Sequence, residues 1–63
     1  MIDQFQCVVY LADGFHVSQV EPCECVGEAV ARAKAWQALG HKAEAQWVTI
    51  NTQTLEVAIH LLG

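Results

Sequence analysis

Apolar and polar positions alternate over residues 4–11. Phe5, Cys7, Val9 and Leu11 fall on one face; Gln4, Gln6, Val8 and Tyr10 fall on the other. A period of two marks a strand, and the β-branched and aromatic content agrees. The first face is the more apolar and is assigned to the core. Asp13-Gly14 then marks a hairpin. A two-residue loop pairs Ala12 with Phe15 and turns His16 and Ser18 inward. A three-residue loop, with Gly14 in the left-handed bulge position, pairs Leu11 with Phe15 and gathers Phe5, Cys7, Val9, Leu11, Phe15 and Val17 on one face. A one-residue slip inverts every side chain, so burial favours the second register. The second strand then covers residues 15–21 and stops at Pro22, which has no N–H to give a ladder.

From residue 25 to 39 the period becomes helical. Val26, Ala29, Val30, Ala33 and Trp36 form a stripe at i, i+3, i+4 spacing. Glu28 and Arg32 lie four apart outside it, in the favourable orientation. Gly40 is placed to end the helix in the left-handed conformation, with His41 and Lys42 at its negative end. Cys25 stands where an N-cap stands, with Glu28 three residues on, and Gly27 is the rival cap. Five alanines, Ala29, Ala31, Ala33, Ala35 and Ala38, serve helix propensity; their small size equally permits a sheet to approach closely.

Residues 43–50 and 55–62 read as two more strands joined by Asn51-Thr52-Gln53-Thr54. Pairing Ile50 with Leu55 sets Val48 against Val57 and Gln46 against Ile59. One face is then Val48, Ile50, Leu55, Val57, Ile59 and Leu61. The other is Ala45, Trp47, Thr49, Glu56, Ala58 and His60. A helical reading of the last segment aligns Leu55, Ile59 and Leu62, but the strict alternation favours a strand. The expectation is one small α+β domain over residues 1–63, in ββαββ order. An antiparallel-rich four-stranded sheet has one helix packed on one face. The uncovered face is expected to hold Val8, Tyr10 and Trp47, with His60 and His16 nearby, and to be covered by a second copy, either there or along an edge strand.

Composition sharpens that expectation. A 63-residue chain buries only about 60% of its unfolded surface, and domains this small usually rely on disulfides, metals or oligomerisation. Yet 54% of the residues are hydrophobic and net charge is −4. The three cations, Arg32, Lys34 and Lys42, do not make the basic patch that nucleic acid or an anionic membrane surface requires. No apolar run approaches the ~20 residues that cross a bilayer. No secretory leader is evident, and three cysteines, an odd number, suit a reducing cytoplasm with free thiols.

Two sets of residues carry candidate chemistry. Cys23-Glu24-Cys25 puts two thiols at a helix start, where the dipole favours thiolates. With Cys7, His16 or a second copy's pair they make a zinc ligand set, although zinc sites normally show two paired motifs. The histidines His16, His41 and His60 have no carboxylate placed by sequence to orient them, and no nucleophile motif or phosphate-binding glycine loop is present. An enzymatic site would have to be composite, across a dimer, with His16 or His60 as base. Trp36 suits the core and Trp47 a contact surface. The expected function is a small non-enzymatic interaction module without a cofactor. The alternative is a thiol-based metal-binding or redox-sensing domain on Cys23, Cys25 and Cys7, with zinc as its metal.

Overall fold

Two strands, β1 (Ile2–Tyr10) and β3 (Ala43–Ile50), lie antiparallel at the centre of the sheet in the computed structural model, which describes residues 1–62. β2 (Val17–Cys23) flanks β1 and β4 (Val57–Leu62) flanks β3, giving the order β2-β1-β3-β4 with every pair antiparallel. The helix α1 (Val26–Ala38) crosses one face. This is the ββαββ, one-helix α+β architecture expected from the pattern, with the last segment a strand.

The first turn departs from expectation. Leu11 N–H donates to the His16 carbonyl and Gly14 N–H to the Leu11 carbonyl. The Asp13 carboxylate accepts the N–H groups of Phe15 and His16, and its second oxygen meets the His16 ring. This Asx-type turn holds residues 11–16 out of the ladder, with Gly14 at φ +76°. Phe15 is therefore 86% exposed rather than in the core, and Leu11 is exposed too. β2 begins at Val17 opposite Tyr10, and a bulge between Val9 and Tyr10 moves Val17 to the face away from the helix. Pro22 lies inside β2, opposite Gln6, instead of ending it. β2 is an edge strand, where a proline is tolerated.

The helix follows its sequence signals at both ends. Cys25 is the N-cap residue but makes no side-chain capping bond. The Glu28 carboxylate instead accepts the Glu24 N–H at 3.0 Å while its other oxygen takes Arg32 at 2.9 Å. At the other end His41 N–H reaches the Trp36 carbonyl and Gly40 N–H the Gln37 carbonyl, with Gly40 at φ +90°. This is a Schellman closure.

The core between helix and sheet is made of small side chains. Cys7, Val9, Ala29, Ala33, Ala43 and Ala45 form it, with Phe5, Cys23, Val30, Trp36 and Leu62 packed around. Cys7 is the largest side chain that is fully buried. The molecule measures 39 × 24 × 15 Å with a radius of gyration of 12.1 Å, against about 11 Å for a compact chain of this length. Its accessible surface is 4332 Å², against about 4000 Å² for a folded monomer of this mass.

Candidate interaction face

In β3 and β4, alternation produces the two faces read from the sequence, but the structure turns them over. Phe5 sits opposite Trp47 and Cys7 opposite Ala45. The helix-side face therefore carries Ala43, Ala45, Trp47 and Thr49, continued by Ala58, His60 and Leu62 of β4. Trp47 and His60, expected on the uncovered face, are on the helix side. Val8 and Tyr10 are on the open face, as expected, and His16 is in the exposed first turn. The β3–β4 register is Ile50 with Val57, Val48 with Ile59 and Gln46 with Leu61, two residues from the expected pairing. The cause is the longer loop over residues 51–56. Asn51 Oδ1 accepts the N–H groups of Gln53 and Thr54, Leu55 N–H returns to the Asn51 carbonyl, and Leu55 sits at φ +62°.

The open face has two apolar patches. Ile2, Val48, Ile50, Val57, Ile59 and Leu61 are neighbours across β1, β3 and β4. On the far side Val8, Tyr10, Val17, Val20 and Pro22 are neighbours across β1 and β2. Val8 and Val48 are buried among their neighbours, whereas Ile59 is 59% and Leu61 68% exposed. β4, at the edge, carries neither a charge nor a proline.

A polar seam separates the patches. Gln4 Nε2 donates to Gln6 at 3.4 Å, Gln6 Nε2 to Gln46 at 2.9 Å, and Gln46 Nε2 to the Glu44 carboxylate at 3.5 Å. Tyr10 Oη donates to the same carboxylate oxygen at 2.9 Å. That bond pushes the Tyr10 hydroxyl pKa up, with burial and the Glu44 charge adding to it. Lys42 Nζ lies 5.0 Å over the Tyr10 ring. These bonds link the amides and the carboxylate into one chain and leave the Gln4 amide oxygen and the second Glu44 oxygen as acceptors for whatever covers the seam. The seam was not read from the sequence. Its signal was present: glutamine at alternate positions 4 and 6, and at 46 in the strand that comes to lie opposite.

On the helix side Phe5, Trp47 and His60 form one row across three strands. Ring centroids are 6.5 Å apart for Phe5 and Trp47 and 4.8 Å for Trp47 and His60. The Trp47 Nε1–H is buried without a partner among the described residues. Between α1 and the β3–β4 edge lies a shallow cleft of about 180 Å³, walled by Val30, Ala33, Ala45, Leu61 and Leu62 with Lys34 and Glu44 at its rim.

The three thiols face different surroundings. Cys7 is buried at the core centre, Cys23 is half-buried at the end of β2, and Cys25 is exposed at the helix start. Cys23 Sγ donates to the Glu21 carbonyl at 3.4 Å. Burial raises the pKa of Cys7, with the Glu21 carboxylate adding to it. Burial also raises that of Cys23, assisted by Glu28. Raised values oppose thiolate formation at Cys7 and Cys23. Among the described residues no three His, Cys, Asp or Glu side chains gather into a group able to hold a metal. The Asp13–His16 pair is solvent-exposed, and the N–H groups of His16 and Phe15 hold the Asp13 pKa down. His41 packs edge-on against Trp36, whose Nε1–H donates to Glu21 at 2.9 Å. No helix among the described residues is long and apolar enough to cross a membrane. No family model, curated protein or solved structure matches the chain.

Proposed function

We propose that this chain is a small non-enzymatic interaction module whose working surface is the open face of its sheet. The observation that carries the reading is the exposure of aliphatic side chains on the face the helix leaves uncovered: Ile2, Val57, Ile59 and Leu61 lie there as neighbours, each about half exposed or more. Burial of apolar area is the main favourable term in folding and association, at about 25 cal/mol per Å². A fold that leaves a contiguous set of aliphatic side chains on an uncovered face is built to have that face covered. A pair of apolar patches divided by a hydrogen-bonded polar seam matches the mix of apolar area and direct hydrogen bonds found in protein–protein interfaces. The alternative built on Cys23, Cys25 and Cys7 receives no comparable support.

The test is hydroxyl-radical footprinting of Ile2, Val57, Ile59 and Leu61, in cells and in dilute purified protein. Protection in cells is the expected result. Labelling at the rate of a bare surface in both settings overturns the reading.

A further inference from the structure

Resting on that reading, we infer that the surface covering the open face is a second copy of this chain, packed face to face with the polar seam of one copy on that of the other. The first support is area. Four strands at about 4.8 Å spacing and some eight residues of about 3.3 Å each give a footprint of about 500 Å² in projection. Two such faces together come to about 1,000 Å², the total a specific interface has to clear.

The second support is the polarity of the seam, which runs Gln4, Gln6, Gln46, Glu44 from one end to the other. A two-fold axis crossing the seam at its middle sets Glu44 against the partner's Gln4, an amide donor against a carboxylate. The same axis lays the Gln6–Gln46 pair on the partner's Gln6–Gln46 pair and returns the larger apolar patch onto itself. A two-fold axis along the seam sets Glu44 against the partner's Glu44, and like charges brought together in an interface are costly. The seam thus selects one of two face-to-face packings, an isologous arrangement.

The third support is what the edge alternative leaves undone. Pairing β4 with a second β4 extends the sheet and joins two open faces into one larger uncovered face. Face-to-face packing covers both.

The experiment is sedimentation equilibrium of the reduced full chain. Wild type is expected at twice the 6.9 kDa chain mass. Gln4→Glu, an exposed change, should weaken the dimer at least about tenfold by bringing a carboxylate to Glu44. Adding Glu44→Gln should restore affinity to within about threefold, because the charge has only changed ends. Ile59→Glu should give a monomer, and unchanged circular dichroism of Gln4→Glu guards against simple unfolding. A monomeric wild type at micromolar concentration overturns the inference. So does a dimer that ignores Gln4→Glu and Ile59→Glu but is lost with Ala58→Pro, which marks edge pairing. Tighter association of Glu44→Gln alone overturns the chosen axis. If wild type is monomeric while footprinting shows the face shielded in cells, the second copy is excluded and the interaction surface stands. If the face is bare in both settings, both fall.

Discussion

Leu55 is the one non-glycine residue at positive φ among those described, and it is largely exposed. A β-unbranched side chain in that conformation costs about 1 kcal/mol or more. Leu55→Asn keeps the turn and removes most of that strain, so urea unfolding should show a gain of about 1 kcal/mol. The thiols give a second residue-scale expectation. Cys25 should be alkylated at once, Cys23 more slowly, and Cys7 only as fast as the native state opens; mass spectrometry of a labelling time course reads all three. Cys7 also leaves a mark in pH dependence. Its folded pKa is raised, so its contribution to stability is complete below the unfolded thiol value of about 8.5. That contribution is lost as pH climbs from there through the folded value. Thermal scans should show wild type weakening above pH ~9, with a shallower alkaline fall in Cys7→Ala. The pairing of Cys23 with Cys25 was visible in the sequence but not its geometry. One ends a strand and the other starts a helix, so their side chains do not share a surrounding.

The elements themselves were legible. Periodicity located four strands and a helix, and Gly40 and the Glu28–Arg32 pair sit where helix signals place them. Which face of the sheet the helix covers was not legible from hydrophobicity. The more apolar side of β3 and β4 looked like the core, yet the helix lies over Ala43 and Ala45. The deciding signal was size: Ala29 and Ala33 on the helix meet Ala43 and Ala45 on the strand, and only small residues allow that approach. Overfilling the contact should therefore hurt. Ala33→Leu is expected to destabilise by about 1–3 kcal/mol in denaturant titration, while Ala35→Leu, on the exposed side, should stay within about 0.5 kcal/mol. Phe15 shows the other limit of pattern reading. Alternation counts it into the core, but the Asp13 carboxylate takes the N–H groups of Phe15 and His16 and keeps that stretch out of the ladder.

For the whole molecule, covering of the open face by a second copy, as inferred above, would make folding and association parts of one equilibrium. The expected consequence is a Tm that rises with protein concentration, read by calorimetry over a hundredfold dilution series. Ile59→Glu should remove that dependence. This scale was the least legible. Chain length and the apolar surplus led to the expectation of a covered sheet, but the hydrogen-bonded seam that divides the surface exists only once β1 and β3 are paired.

β4 runs along the rim of the sheet with no lysine, proline or bulge to discourage a neighbouring strand. Face-to-face packing leaves that rim bare. Crowding then becomes the hazard: at high abundance, strand after strand can add to it, and the product is a fibre rather than a dimer. Ala58→Lys, on the helix side of that rim, should raise the concentration at which fibres form without touching the open face.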